Sequence, residues 1–445
     1  MALLEKLKTF MGGVHPPEHK ELSENIPFEK MPVPKEIFIP LSQHIGKPAN
    51  ALVKKGSEVK AGTVVAESSG FISAPIHSSV AGKVTKIASG ANLSGYSKEG
   101  IIIKPDEEQE TEKMSLLNPA TITPEEIRNR VKEAGIVGQG GAAFPTFVKL
   151  TPPKGAQIEY IILNGCECEP YLTRDFRFMI EMPEKVVSGL KLIMKALNVD
   201  RGVIGIESNK PEAAKKINEA IKGDPTLSVE VLETKYPQGA EKMLIKAITN
   251  REVPPGRLPL DVGCVIQNIG TAVAVHDAVA EGTAGYTAAL TVTGKGIMNP
   301  KNLLVPVGTS IGEVIEYCGG LNEDAIKVIA GGPMMGFAQH DMSAPVTKAT
   351  SGILVLTKEE VNNTEETACL RCGKCVEVCP LGLLPTRLSR LSQLEKYEEA
   401  DEIGITVCME CGSCTYTCPA NIPLVQWIRL GKQAVIKLQR ENKTA

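Results

Sequence analysis

Ile158-Glu159-Tyr160-Ile161-Ile162-Leu163, followed by Asn164-Gly165-Cys166-Glu167-Cys168-Glu169-Pro170, is the stretch on which the fold turns. Its first six residues have the length and the mostly apolar character of one buried strand, and the polar and turn-forming residues after them stop it. Comparable runs recur at Gly202–Ile206 and Leu227–Leu232. Amphipathic stretches at Pro183–Leu197, Pro211–Ile221 and Ala240–Thr249 alternate with them, and a further helix is expected from near Asn268 to Val279. That alternation predicts an α/β domain whose parallel strands are joined by crossover helices. Ligands bind such sheets beyond the carboxyl ends of the strands. Asn164–Pro170 is therefore a candidate site, with two similar junctions at Tyr236-Pro237-Gln238-Gly239-Ala240-Glu241 and Gln267-Asn268-Ile269-Gly270-Thr271. Several such junctions on one sheet predict a cofactor crevice. Cys166 and Cys168, with no histidine nearby, read as bystander thiols more readily than as a metal or redox pair.

Upstream lies Gly138-Gln139-Gly140-Gly141-Ala142-Ala143-Phe144-Pro145, a G-x-G-x-x-A match. The ordinary Rossmann context requires a strand just before such a loop. Here a helix precedes it, capped by Thr123, opened by Pro124, boxed by Glu126 and stopped by Gly135. The glycines still imply close backbone approach to something flat or anionic, with a plain tight turn as the simpler alternative. Residues 106–113 are acidic and read as a solvated connector. Residues 31–105 are short β runs broken by Gly and Pro, a pattern that resembles the barrel-sandwich hybrid of biotinyl and lipoyl domains. Those carriers display a modified lysine at a hairpin tip. No lysine occurs between Lys60 and Lys83, and the tip reads Ser68-Ser69-Gly70-Phe71, so a structural or docking module is expected instead. Residues 1–30 form a polar segment with a short helical pattern through Leu3, Leu4, Leu7 and Phe10, broken by Gly12-Gly13-Val14-His15-Pro16-Pro17.

Downstream of the α/β domain (114–285), residues 286–350 return to short β segments around a helix at Ile311–Tyr317. From about 360 the chain is helical, charged and rich in cysteine. Cys369-x-x-Cys372-x-x-Cys375-x-x-x-Cys379-Pro380 is followed by Cys408-x-x-Cys411-x-x-Cys414-x-x-x-Cys418-Pro419. Spacing of three places successive thiolates around one iron–sulfur cube, while the fourth cysteine of each run reaches the other cube. Cys369, Cys372, Cys375 and Cys418 are assigned to a first 4Fe-4S cluster, and Cys408, Cys411, Cys414 and Cys379 to a second. Paired structural zinc sites are the competing reading, but a repeated four-cysteine run with a trailing proline favours iron–sulfur. Two clusters in one domain make a relay of one-electron carriers.

Composition sets the outer bounds. The chain has 445 residues, with 49 Lys+Arg against 52 Asp+Glu and a net charge of -3. The length suits two to four domains, and the near-neutral balance argues against a nucleic-acid binder. No run approaches the ~18 apolar residues of a membrane span. Glu5, Lys6 and Lys8 interrupt any secretory signal. Twelve cysteines without such a signal point to metal rather than disulfides.

The order of Gly138–Pro145, Asn164–Pro170, Tyr236–Glu241 and Gln267–Thr271, then a small β module and cysteines, resembles the flavin- and NADH-binding subunit of respiratory complex I. The doubled cysteine runs, the front module and the Gly12–Pro17 opening are more similar to the C subunit of Rnf-type ion-translocating ferredoxin:NAD oxidoreductases. The resemblance covers nearly the whole chain. It implies a multidomain α/β fold: barrel-sandwich hybrid, Rossmann-like FMN/NADH domain, soluble-ligand-binding β-grasp domain and two-cluster ferredoxin-like domain. It also implies that Gly138, Gly140 and Gly141 pass under the flavin with Lys149 near its phosphate or ring, that Asn164 hydrogen-bonds the isoalloxazine and that Phe144 stacks on the nicotinamide nucleotide. Glu167 and Glu169 would lie near flavin and nicotinamide. Tyr236, Gly239 and Glu241 would line the nucleotide side, and Gln267, Asn268 and Thr271 the flavin phosphate side. Two departures stand out: Cys166 replaces an acid, and Ala240 one of two adjacent glutamates.

NADH yields two electrons as a hydride, whereas a cluster takes one, and a flavin bridges the mismatch. No side-chain acid or base is needed for that step, so no catalytic residue is named. The expected route runs from NAD(H) through non-covalent FMN to the first cluster, the second cluster and a partner. The resemblance implies that the chain sits peripherally on the cytoplasmic face of the cell membrane, among integral membrane subunits and an iron–sulfur ferredoxin-like subunit, with no nucleic acid involved. Two alternatives are an NADH-linked diaphorase subunit of a soluble hydrogenase or formate dehydrogenase, and a non-catalytic two-cluster wire.

Overall fold

The computed structural model describes residues 7–362 and 364–444. At its centre the strands Tyr160–Gly165, Gly202–Glu207, Leu227–Leu232 and Cys264–Asn268 form a wholly parallel sheet. Across it, Leu227–Leu232 lies at one edge, then Gly202–Glu207, Tyr160–Gly165 and finally Cys264–Asn268. The chain thus steps outward in one direction from Tyr160–Gly165 and later returns to its other side. That reversal opens a crevice at the carboxyl ends of Tyr160–Gly165 and Cys264–Asn268, where Asn164 stands in register opposite Asn268.

Every residue of Gly202–Glu207 is buried, as a sheet covered on both faces requires. Pro183–Leu197 and Ile269–Ala280 pack so closely that a Cβ at Gly189 would overlap the Ala272 carbonyl. Ile161, Leu163, Leu190, Ile193 and Ile204 fill the core beneath them at 0% exposure, each worth roughly 1.5–3 kcal/mol of burial. Helix Pro124–Glu133 carries the full Thr123/Glu126 capping box. The first strand begins two residues later than the sequence suggests, and Asn164 and Gly165 belong to it because they pair with Gly205 and Ile206.

The barrel-sandwich module is two small antiparallel sheets closed over Ile37, Ile39, Val65, Ile101 and Ile103. The acidic stretch after it is pinned rather than free: Thr111 bridges Ala61, and Glu110 pairs with Lys60 at 2.6 Å. A six-stranded mixed sheet around helix Ile311–Tyr317 forms the third module. Phe28–Lys30 joins its edge parallel to Lys301–Pro306, and the fully buried strand Gly352–Thr357 carries the sheet past residue 350. Leu3 and Leu4 lie outside the described residues. Leu7–Phe10, expected to be helical, is extended instead, with Lys8 bridging Leu232 at the edge of the parallel sheet. Short helices carry the cysteine runs, and the long Leu424–Thr444 helix packs on Pro385–Gln393.

Candidate functional site

The glycine loop arches over the crevice. Gly138 N–H donates to the Phe144 carbonyl (2.9 Å), closing the loop, and Gln139 N–H donates to Thr271 Oγ1 (2.9 Å), tethering it to helix Ile269–Ala280. A Cβ at Gly140 would stand 3.1 Å from Asn268 Nδ2, whereas one at Gly141 would meet nothing within 4 Å. Asn268 caps its helix by accepting from Gly270 N–H (2.8 Å) and donates to Asp175 Oδ2 (2.6 Å). Asn164 Nδ2 donates to the Gly239 carbonyl (2.7 Å) and its Oδ1 accepts from Cys166 N–H (3.2 Å). Two of the expected site residues pair with each other: Lys149 Nζ reaches Glu241 Oε1 at 2.9 Å, and it also donates to the Ile266 carbonyl at 3.0 Å. Phe144 is half-buried at the end of the loop.

Glu167, Glu169 and Tyr236 make their contacts with other elements. Glu167 accepts from Asp175 and Phe176 N–H (2.6 and 3.1 Å), capping helix Arg174–Glu181. Glu169 accepts from Met334 and Met335 N–H (3.1 and 2.9 Å) in a loop of the third module. Burial lifts both carboxyls to about 7. Tyr236 is buried, and its hydroxyl donates to the Cys411 carbonyl at 2.7 Å. Cys168 Sγ accepts from Gly239 N–H at 3.4 Å, and burial pushes both lone thiols, Cys166 and Cys168, up.

Three residues escape a reading of the sequence. Arg174, 2% exposed, pairs with Asp175 Oδ1 (2.7 Å), reaches Asn268 Oδ1 (3.3 Å) and leaves Nη1 without a partner. Lys20 donates to the carbonyls of Glu167 (2.7 Å), Glu169 (2.9 Å) and Leu172 (2.6 Å). Lys210 holds the Cys166 carbonyl (2.7 Å) and Glu207 (3.2 Å). The adjacent charges of Arg174-Asp175, just past Pro170, were the one available signal. Lys20 offered none.

In the last module Cys379, Cys408, Cys411 and Cys414 line one small pocket together with Leu388, Val425 and Ile428. Cys375 and Cys418 share an apolar cluster with Ile422 and Val425, while Cys369 and Cys372 are exposed.

Residues 8–108 match the RnfC barrel sandwich hybrid domain, 131–277 the Nuo51 FMN-binding domain, 290–338 the SLBB domain and 361–419 a 4Fe-4S dicluster domain. The chain is 47% identical to the C subunit of the proton-translocating ferredoxin:NAD(+) oxidoreductase complex of Clostridium ljungdahlii, over 99% of its own length and 95% of that relative. It is 44% identical to the Na(+)-translocating counterpart of Acetobacterium woodii, over 98% of each. The chain belongs to the C-subunit family of ion-translocating ferredoxin:NAD oxidoreductases. An NAD+-reducing [NiFe]-hydrogenase in the air-oxidized state shares the fold alone, with TM-score 0.52 and 19% identity over 69% of this chain and 60% of that one.

The protein is thus one component of a multi-subunit oxidoreductase, with FMN and 4Fe-4S clusters as cofactors and NAD(H) as substrate. Its residues fit those groups. Gln267 Nε2, Arg174 Nη1 and Thr146 Oγ1 are buried polar atoms without partners near the arched loop, the kind of unmet hydrogen-bonding capacity that a bound polar ligand satisfies. The cavity with four thiols has the donor set of an iron–sulfur cube. Among the described residues no helix is long and apolar enough to cross a membrane.

Proposed function

We propose that this protein exchanges electrons with NAD(H) in the crevice under Gly138–Phe144 and passes them singly through its two cysteine quartets to a partner subunit. Bound FMN supplies the conversion between a two-electron hydride and one-electron carriers. Gly138, Gly140 and Gly141 let the backbone approach the flavin ring, and Asn164 orients it from the strand end. Arg174, Gln267, Asn268 and Thr271 hold its phosphate at the start of helix Ile269–Ala280, where the helix dipole favours an anion. Phe144 and the Lys149–Glu241 pair face the nicotinamide nucleotide. Glu167 and Glu169 act one step back, by fixing the strand-end loop against its neighbours.

The observation that carries this reading is the Tyr236 hydroxyl on the Cys411 carbonyl, which couples the crevice to the cysteine domain. It also favours an order opposite to that expected from the sequence. The quartet Cys379, Cys408, Cys411 and Cys414 is the flavin-side one, and Cys369, Cys372, Cys375 and Cys418 form the outer one. The exposed Cys369 and Cys372 suit hand-over to an iron–sulfur partner. The chain docks peripherally on integral subunits at the cytoplasmic face, a placement supported by its similarity to subunits of ion-translocating complexes.

The test is anaerobic stopped-flow mixing of the FMN-loaded, cluster-reconstituted protein with NADH. Flavin bleaching followed by loss of iron–sulfur absorbance is expected. A flavin that stays oxidised while dithionite reduces the clusters would move the wire reading to the front.

A further inference from the structure

The glycine loop has few side chains with which to hold its own shape, so beyond the Gln139–Thr271 tether its rigidity must come from its stem. Gly138 N–H closes the loop internally, and Val137 bridges Pro145 across its base. Beyond those contacts, the stem leans on the barrel-sandwich module. Ala74, 1% exposed, packs against Val137 and Ala143, with Ala349 completing the cluster. Phe71, at the hairpin tip, meets the ring of Phe147 edge-on at 5.9 Å. His77, also buried, faces the backbone of Glu133 at the end of the helix that leads into the loop.

Lys348 joins these pieces. It is 6% exposed, comes from the loop before strand Gly352–Thr357, and donates through Nζ to the carbonyls of Pro75 (2.9 Å) and Gly135 (2.7 Å). The Gln43 side chain accepts from its backbone N–H at 3.2 Å. Pro75 and Gly135 approach so closely that a Cβ at Gly135 would overlap the Pro75 carbonyl. Two carbonyls converging in a buried place repel each other and lack water, and one ammonium satisfies both. Burial draws the Lys348 pKa down to about 7, which fits an ammonium held by carbonyls with no carboxylate beside it.

We propose that the barrel-sandwich module is a brace for the flavin-binding loop, and that Lys348 is the positioning residue that ties the module to the loop's stem. The hairpin that swings a cofactor in carrier domains is here seated at its base: its tip, Gly70–Ile72, is exposed, but Ser73, Ala74, Ile76 and His77 are all buried. It has become a fixed wedge rather than an arm. The consequence for the flavin rests on the function proposed above; the consequence for the loop does not.

The test compares wild type, Lys348→Met and Phe71→Ala by amide hydrogen exchange of the FMN-free full chain and by FMN titration. Lys348→Met should speed exchange at residues 137–144 by at least tenfold and weaken FMN by a similar factor. Iron–sulfur absorbance should stay unchanged, and saturating FMN should restore most of the NADH oxidation rate. Phe71 is 63% exposed, so Phe71→Ala should fold normally and weaken FMN by roughly threefold. Exchange at 137–144 indistinguishable from wild type in Lys348→Met would overturn the brace, whatever the flavin does. If Lys348→Met does not fold, unchanged exchange and FMN affinity in Phe71→Ala overturn it instead. Altered exchange in a chain that never binds FMN would leave the brace standing and sink the functional reading.

Discussion

Glu169 is held by two opposing effects. The N–H groups of Met334 and Met335 favour its ionised form, but burial weighs more, and the carboxyl is lifted from 4.5 to about 7. The folded protein therefore binds this proton more tightly than the unfolded chain does. Its stabilising effect is complete below about pH 4.5 and is lost as pH rises to about 7. Glu169→Gln removes that titration, so the melting temperature of the variant relative to wild type should climb between pH 5 and 8. A difference that stays flat over that range contradicts the raised pKa. The same variant should slow flavin reduction by NADH more than it weakens flavin retention, because Glu169 touches the third module rather than the phosphate side. The place of Asn164 at the crevice was readable because it ends a parallel strand, in register with Asn268. Arg174 was not, because its partner Asn268 lies 94 positions away. Nor was Lys20, whose carbonyl partners lie about 150 residues off.

Elements with local signals were the legible ones. The Thr123 cap, the helix Pro183–Leu197 and the strand Leu227–Leu232 follow from capping chemistry and hydrophobic period, and the structure has them at the bounds the sequence suggests. What failed was the helical pattern near Phe10. That segment is extended because it lines a sheet edge formed by Leu232, a partner no local pattern reveals. The glycine loop lies between these cases: its flexibility was legible, but its supports were not. Gly138 offers a clean probe of which face it turns to the flavin. Its backbone needs no left-handed conformation, and an added Cβ would make only ordinary contact, 3.5 Å from the Phe144 carbonyl. Gly138→Ala should therefore leave the FMN-free protein as stable as wild type while weakening FMN about tenfold, roughly 1.4 kcal/mol. Flavin fluorescence titration measures this. Full FMN affinity in that variant would remove Gly138 from the flavin's path.

At the scale of the whole molecule, the N-terminal segment, the flavin domain and the cysteine domain meet at one seam. Val14 bridges Tyr236, Gly13 N–H donates to the Val378 carbonyl (2.9 Å), and Cys411 packs with Val14, Tyr236 and the partly buried Cys168. The polar N-terminal segment thus fastens the cysteine domain to the flavin domain, and it does so beside Cys379 and Cys411 rather than beside Cys369. One-electron transfer falls steeply with distance, so the quartet at this seam should fill first. Cys408→Ser and Cys372→Ser separate the two orders. In Cys372→Ser the seam cluster remains, and NADH should reduce it through the flavin at close to the wild-type rate. In Cys408→Ser only the outer cluster remains, and it should stay oxidised with NADH yet be reduced by dithionite. Freeze-quench electron paramagnetic resonance distinguishes these results. If the outer cluster in Cys408→Ser fills as fast as the wild-type pair, the flavin has direct access to it and the seam is not the route. If either variant loses flavin together with both clusters, the cysteine domain is needed to fold the rest, and the contacts at Val14 and Tyr236 are structural before they are electronic.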